Sequence, residues 1–369
     1  MNSNMPGVSI VLPTYNRCDT ITRAIESVLN QTFQDWELIV IDDGSTDSTS
    51  KMDFGIDSRI RVIRQDNQGV AAARNNGLLA SQGRFIAFLD SDDEWLPHFL
   101  DLSVGFLKAF PEEQFVTLEF LGDDTEYRMI KGSFMHTYLS AARMIGSNAL
   151  ELLPGETDDY LRIYPTKHGL GVWGTKCLSE ATASESHLYQ GHVFHHTRWG
   201  YLAWLPTTVL TRHALEVVGI FDVSRRHATD YPFLATLSKQ FRTNFISTPS
   251  ARKHEYGLHS NSLQQNHLAA GPNSYAFRIN RLYFFDNMHW QNNKHDRELS
   301  LVRQQYIYNT ALVALRSGMR KEAMMSFSEV STLRSPFWRS YLFKWLAFCC
   351  MNDKNMSASY KILSRLLNS

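Results

Sequence analysis

Three carboxylates, Asp90, Asp92 and Asp93, directly follow the apolar run Phe85-Ile86-Ala87-Phe88-Leu89. That run reads as a buried strand, and open α/β sheets bind their ligands at the carboxyl ends of strands. Like charges at this spacing repel and raise one another's pKa, so packing alone does not favour the arrangement. A divalent cation removes the objection. Asp90 and Asp92 offer hard oxygen ligands to Mg²⁺ or Mn²⁺, ions that usually keep other positions for water and phosphate oxygens. The stretch also reads as a helix start, with Ser91 or Asp92 capping a helix from Pro97 through Phe106, and both roles are expected together. A second acidic turn, Asp42-Asp43-Gly44-Ser45, reads by residue type equally as an Asx turn or a ligand contact.

The elements that must hold these groups follow from the apolar spacing. Strands are expected at Val8–Leu12, Trp36–Ile41, Ile60–Ile63 and Arg84–Leu89, and helices at Thr20–Asn30 and Val70–Ser81. This alternation predicts an α/β fold, a mostly parallel sheet with helices on both faces. The polar clusters at 13–16, 42–45, 67–69 and 90–92 all follow strand ends and would share one rim of the sheet. Residues 111–200 are less regular, with a helix expected near Ser133–Met144. Further on, Trp204–Leu210 is regular, a helix ends near Val218, and another spans about Asp230–Gln240. After Gly271-Pro272 the chain turns helical, with pairs at Arg303–Ser317 and Arg320–Thr332, then Phe337–Cys350 and Ser357–Leu367.

At 369 residues and 43% hydrophobic content, the chain supports about two domains. The expected division is a domain over 1–270, with a nucleotide half at about 6–110 and an acceptor half at about 111–270, and a helical appendage over 271–369. Lys plus Arg equals Asp plus Glu at 37 each, which argues against nucleic acid as a partner. From Arg278 onward, however, 14 basic residues face 6 acidic ones. This basic tail, with the aromatic stretch 337–350, suits contact with an anionic membrane surface, packing as scaffold, or a homo-oligomer contact. Four cysteines without metal spacing read as reduced thiols. No signal peptide or bilayer-length apolar segment is read, so the expected place is cytoplasmic, at the inner face of the cell membrane.

No Gly-x-Gly-x-x-Gly follows the first strand, and no Walker A lysine loop occurs. Four motifs stand in order instead: Val8-Ser9-Ile10-Val11-Leu12-Pro13-Thr14-Tyr15-Asn16-Arg17, Ile41-Asp42-Asp43-Gly44-Ser45-Thr46-Asp47, Gly69-Val70-Ala71-Ala72-Ala73-Arg74-Asn75-Asn76-Gly77 and Phe88-Leu89-Asp90-Ser91-Asp92-Asp93. Together they resemble family 2 of the nucleotide-sugar-dependent glycosyltransferases, which have the GT-A fold. The resemblance is dense over residues 8 to about 100 and resumes at about 204–265. It implies that Pro13, Thr14 and Tyr15 line the nucleotide pocket and that Asp43 accepts from the N3 imide of uracil. Gly69 would admit the nucleotide to the backbone, and Arg74 would brace that loop or its acidic neighbours. Asp90 and Ser91 would lie at the donor, and Asp92 with Asp90 would hold Mn²⁺ or Mg²⁺ against the diphosphate.

Downstream, Gly219-Ile220-Phe221-Asp222 and Ala228-Thr229-Asp230-Tyr231 resemble the family segment ending in Glu-Asp, whose aspartate is the catalytic base. Thr229 stands in the glutamate position, and Asp230 is the expected base, with helix N-cap as its plainer role. Tyr256-Gly257-Leu258-His259-Ser260-Asn261-Ser262 resembles the carboxy-terminal Tyr-Arg-x-His-x-x-Ser segment, implying His259 as a metal or pyrophosphate ligand with His254 as its rival. Gly257 replaces the usual arginine, so Arg252 or Lys253 is expected to supply that phosphate contact. The His187, His192, His195 and His196 cluster lacks a cysteine to complete a zinc set. Its aromatic neighbours read as a sugar-binding wall, and acceptor contacts are expected from Trp173, Trp199, Trp204 and Thr229. Asp123-Asp124 and Asp158-Asp159 read as exposed loop residues.

The resemblance implies inverting transfer of a sugar from a nucleotide diphosphate, UDP being favoured through Asp43, to a hydroxyl of a glycan or lipid-linked glycan. The competing classes are a sugar nucleotidyltransferase, which would carry a basic glycine-rich loop after the first strand, and a degenerate glycan-binding scaffold, suggested by Thr229 and Gly257.

Overall fold

The computed structural model describes residues 5–54, 57–122, 158–198, 202–225, 227–254 and 272–332. They fall into two compact units, the first closing at His254 and the second holding residues 272–332. The expected boundary at 270, the helix near Ser133–Met144 and the helices beyond 332 lie outside the described residues.

Among the described residues, ten strands build one sheet in the first unit. They are β1 (Val8–Thr14), β2 (Trp36–Asp42), β3 (Ile60–Arg64), β4 (Phe85–Phe88), β5 (Glu94–Trp95), β6 (Phe115–Gly122), β7 (Thr166–Gly169), β8 (His187–Gly191), β9 (Thr208–Thr211) and β10 (Thr243–Lys253). The spatial order is β3-β2-β1-β4-β9-β6-β10-β8-β7, with β5 paired to β10. The first four in this order run parallel, and Val8 is level with both Trp36 and Phe85. Strand β9 then lies antiparallel between β4 and β6, β6 and β10 are parallel again, and β8 and β7 follow antiparallel.

The unbroken apolar run of β1 reflects burial on both faces. Ile10 and Leu12 join one core with Ile21, Ile25 and Val28 of α1 (Ile21–Leu29) and with Phe99, Leu102 and Phe106 of helix Phe99–Ala109. Val11 points the other way, to Ala71 and Leu78 of α2 (Val70–Ala80) and to Phe233, Leu234 and Leu237 of helix Asp230–Gln240. Those two later helices are α3 and α5, and α4 (Arg212–Val218) lies between them in the chain. Phe88 is fully buried edge-on to Phe221 at 5.3 Å and to Phe233 at 6.0 Å, a burial that stabilises by roughly 1.5–3 kcal/mol. Helix α2 lies so close to β1 that a Cβ at Gly77 would come within 2.4 Å of Val11 Cγ1.

The apolar β6 lay in a stretch read as irregular, and β10 was hidden by its polar residues. Thr243, Asn244, Thr248 and Ser250 of β10 have no exposed surface. Their hydrogen bonds are made inside, as where Asn244 Nδ2 donates to Glu113 at 2.8 Å and to the Phe115 carbonyl at 2.9 Å. Two register shifts flank Pro249. The two sheet edges are β3 and β7, which carry the exposed cations Arg61, Arg64 and Lys167.

In the second unit α6 (Pro272–Phe285) runs on into a π-helical turn, Asp286–Trp290. Helices α7 (Arg297–Arg316) and α8 (Arg320–Thr332) pair through Ala311, Ala314, Leu315, Ala323 and Phe327. No helix among the described residues is long and apolar enough to cross a membrane.

Candidate active site at the carboxyl rim of the sheet

The ends of β1 and β2 are knitted together by neutral hydrogen bonds. The Asp43 N–H donates to the Thr14 carbonyl at 2.9 Å. Asn16, in the left-handed region at φ 52°, gives its N–H to Ser45 Oγ at 2.9 Å, while its Oδ1 accepts from the N–H groups of Thr46 and Asp47. Backbone strain of this kind persists where the surroundings over-determine it. Asp42 makes the expected Asx turn, accepting from the Ser45 N–H at 2.9 Å. Asp43 does something else: its carboxylate accepts from Gln65 Nε2 at 2.7 Å and from the N–H groups of Gln68 at 2.9 Å and Gly69 at 2.8 Å. It therefore pins the loop that opens α2. Gly69 sits there at φ 91° with open space on its Cβ side, a conformation glycine adopts at little cost. Beside this loop Tyr15 is exposed, whereas Thr14 is buried with its hydroxyl unpartnered.

Past β4 the chain turns through Ser91, closed by the Asp93 N–H on the Asp90 carbonyl at 3.1 Å. Here the contacts are ionic. Arg74 Nη2 lies 2.7 Å from Asp90 Oδ1, and Arg17 Nη2 lies 3.6 Å from Asp92 Oδ2. Arg23 Nη2 donates to the Asp92 carbonyl at 2.7 Å, and the His254 N–H donates to Asp93 Oδ1 at 3.1 Å. Burial, followed by the negative charge of Asp90, pushes the Asp92 carboxyl above its ordinary range, with Arg17 and Lys253 opposing. Burial beside Asp92 and Asp90 pushes Asp93 up further. Asp92 nevertheless keeps 29% of its side-chain surface open, so it is reachable within a crowded neighbourhood.

Two plainer roles fail. Helix α3 starts at Phe99 with His98 at its N-cap, and neither Ser91 nor Asp92 caps it. Helix α5 starts at Asp230 itself, with Thr229 at the N-cap making no side-chain cap bond. Thr229 is buried and follows Ala228, which is left-handed at φ 57°. A chain of contacts links α5 to the acidic turn. Arg74 lies 5.5 Å from the centre of the Phe221 ring, and Phe221 stacks on Phe233, one turn after Asp230, at 4.3 Å. Asn75 holds the Phe221 backbone from both sides, at 2.9 and 2.8 Å.

Among the expected phosphate contacts, Arg252 is taken by Glu94 at 3.0 Å, and the His254 ring also faces Glu94, at 3.4 Å. Lys253 instead lies toward Asp92 and Asp93, with its ammonium over Trp204 at 5.7 Å. Trp204 itself is buried in the core against Phe120 at 4.6 Å, beneath the Lys253 ammonium. Trp173 packs on Phe106 of α3 and on Phe110 just past its end, and lines a groove of about 590 Å³ with Thr32, Phe33, Asp101 and Lys108. Trp199 and His259 lie outside the described residues. Asp158 is no free loop carboxylate, since it accepts from Tyr189 Oη at 2.7 Å and pairs with Lys167 at 2.5 Å.

Segment Phe194–Arg198 packs on α5, where Tyr231 Oη donates to the Thr197 carbonyl at 2.9 Å. No three His, Cys, Asp or Glu side chains among the described residues group as a metal site. Asp90 and Asp92 supply two hard oxygens from one turn, a donor set that fits Mg²⁺ or Mn²⁺ with phosphate oxygens completing the shell. Sequence reasoning missed Arg17, for which adjacency to Tyr15 and Asn16 was the available signal.

Residues 9–156 match the model of glycosyl transferase family 2. A UDP-Glc:α-D-GlcNAc-diphosphoundecaprenol β-1,3-glucosyltransferase, WfgD of Escherichia coli, is 46% identical over 103 residues, 27% of this chain and 40% of its own. The putative teichuronic acid biosynthesis glycosyltransferase TuaG of Bacillus subtilis (strain 168) is 42% identical over 111 residues, 29% of this chain and 44% of its own. The match thus spans less than half of either relative. A crystal structure of S. aureus TarS 1-349 in complex with UDP-GlcNAc aligns over 96% of this chain and 91% of its own, at 13% identity and TM-score 0.48. The parallel sheet half, covered by helices on both faces, is the α/β architecture the resemblance implied.

Proposed function

We propose that the chain is an inverting glycosyltransferase that moves a sugar from a UDP-sugar to a hydroxyl of a lipid-linked glycan. The observation that carries this reading is the continuous path from the Asp90–Asp93 turn through Arg74 and Phe221 to α5, which begins at Asp230. Asp43 supports uridine, since a carboxylate that accepts three bonds retains acceptor capacity for an imide N–H. The donor and the diphosphoundecaprenol-linked acceptor in the WfgD name support the substrate classes. Action at the inner face of the cell membrane, with the basic tail as peripheral contact, belongs to the same proposal.

In this mechanism Asp230 takes the proton of the acceptor hydroxyl as that oxygen bonds to the anomeric carbon, and the bond from that carbon to the diphosphate oxygen breaks. One displacement inverts the centre. Asp90 and Asp92 would hold Mn²⁺ or Mg²⁺, which when bound neutralises charge on the departing diphosphate. Arg74 fixes Asp90, and Lys253 adds a positive charge beside the same turn. Asp230→Asn is expected to lower turnover by roughly 10²-fold or more with donor affinity kept, measured as UDP release with Mn²⁺ across a panel of nucleotide sugars. Donor affinity falling together with turnover would make Asp230 structural. Glycan binding without UDP release from any donor would favour the degenerate scaffold suggested by Thr229.

A further inference from the structure

We propose that Arg17 is a built-in competitor for the divalent cation, holding the charge of Asp92 while the site is empty and giving way when the metal enters. The inference rests on the metal role of Asp92 proposed above. Its ground is the unequal grip of two arginines, both from the segment after β1, on the same residue. Arg23 holds the Asp92 carbonyl at 2.7 Å, a full hydrogen bond that fixes the backbone of the turn. Arg17 stands 3.6 Å from the carboxylate itself, an ion pair longer than a hydrogen bond and hence more easily exchanged.

The placement of Arg17 is not incidental. Its own N–H donates to Thr49 Oγ1 at 2.9 Å, and the next N–H, of Cys18, reaches Asp47 Oδ2 at 3.2 Å. Asn16, one residue earlier, is locked in the left-handed region by Ser45, Thr46 and Asp47. The backbone that carries Arg17 is therefore fastened to the loop after β2, and its guanidinium is delivered across to the end of β4. Each of the three aspartates is thereby offset from within: Asp90 by Arg74, Asp92 by Arg17, and Asp93 by the His254 N–H. Asp92 keeps 29% of its side-chain surface open, as does Asp90, but the cation facing Asp92 stands 3.6 Å away whereas Arg74 lies 2.7 Å from Asp90. A divalent ion entering there displaces one positive charge with two, and the freed guanidinium remains beside a site where a diphosphate must arrive with the metal.

The test measures Mn²⁺ binding to the full chain without nucleotide, by the loss of the free-ion electron paramagnetic signal, alongside UDP affinity in the presence of Mn²⁺. Arg17→Ala is expected to bind Mn²⁺ about three- to tenfold more tightly than the unaltered protein, the scale of one partly solvated charge interaction at such a distance. Arg17→Ala is also expected to weaken UDP binding, because the released guanidinium is gone. Arg17→Lys, which keeps the charge, should return Mn²⁺ affinity to near the starting value. Equal or weaker Mn²⁺ binding by Arg17→Ala, with a normal thermal melt, overturns the proposal. Asp92→Asn separates the two levels. If it abolishes Mn²⁺ binding while Arg17→Ala changes nothing, only the competitor role falls. If Mn²⁺ binding survives in Asp92→Asn, the metal assignment falls with it.

Discussion

Two acidic turns lie on the same rim and are built in opposite ways. At the end of β2, Asp43 is buried against three N–H donors, and Asp42 closes its own turn on Ser45. At the end of β4, Asp90, Asp92 and Asp93 are crowded together, offset mainly by ion pairs, and two of them are held above the ordinary carboxyl range. The first turn is closed by its own hydrogen bonds, with Arg64 3.6 Å from Asp42 at its edge. The second carries charge that its own contacts do not fully offset, which is the condition under which a mobile cation gains most.

The sharpest way to break this contrast is Asp92→Asn. It removes a charged ligand from the under-compensated turn and is expected to abolish most metal-dependent UDP release while leaving the circular dichroism spectrum and melting temperature close to normal. Full activity with unchanged Mn²⁺ affinity would show that the two turns do not differ in this way. Asp43→Asn should act on the other side. An amide there keeps an oxygen for Gln65 and Gln68 but sets its NH₂ group against the Gly69 N–H, and leaving a buried donor unpaired costs about 1–3 kcal/mol. The urea midpoint should fall, and UDP affinity should fall even without metal.

A smaller change sharpens the contrast through pH. The Asp93 carboxyl is raised in the folded protein. Above the ordinary carboxyl value of ~4 the unfolded chain therefore loses this proton first, and the fold loses stability as pH rises through the window up to the raised value. Asp93→Asn keeps an oxygen for the His254 N–H and is expected to raise stability near pH 7 but not below pH ~4. A variant less stable at both pH values would mean that the crowding costs nothing. A second pH effect concerns His196, buried beside His195 and Arg198 and held down to about 3. Its folded value is depressed, so the unfolded state binds the extra proton between pH ~6.5 and about 3, and stability falls as pH drops through that window. His196→Asn should flatten the acid limb of the urea-midpoint profile.

How far the sequence could be read tracks the same physics. In β1 to β4 the core residues are Val, Ile, Leu and Phe, so hydrophobic runs marked the strands within one or two residues, and helix α5 appeared over its full length. Strand β10 was hidden because Thr243, Asn244, Thr248 and Ser250 pack inside by satisfying hydrogen bonds, a pattern that composition reads as a loop. The acidic turn was visible as a cluster and Arg74 was expected to brace its acidic neighbours, but the contact of Arg17 with Asp92 was not visible, because the two come from distant segments. Trp173 was misplaced for a related reason. An aromatic residue near other aromatics reads as a sugar wall, and nothing local revealed that Phe106 and Phe110 would claim it.

The two outermost strands have a consequence for how the protein behaves at high concentration. Arg61 on β3, paired with Glu37 at 2.8 Å, and Lys167 on β7, paired with Asp158, set charges along the two lines of backbone where another chain could add a strand. Such charges discourage edge-to-edge pairing. Replacing Arg61 and Lys167 with valine should leave UDP release per molecule unchanged in dilute solution, yet cause the protein to self-associate as it is concentrated, visible as rising light scattering. On the proposed function the surface charge of the first unit would do two separate jobs: at the strand ends it would meet substrate, and along the sheet edges it would keep copies of the chain apart.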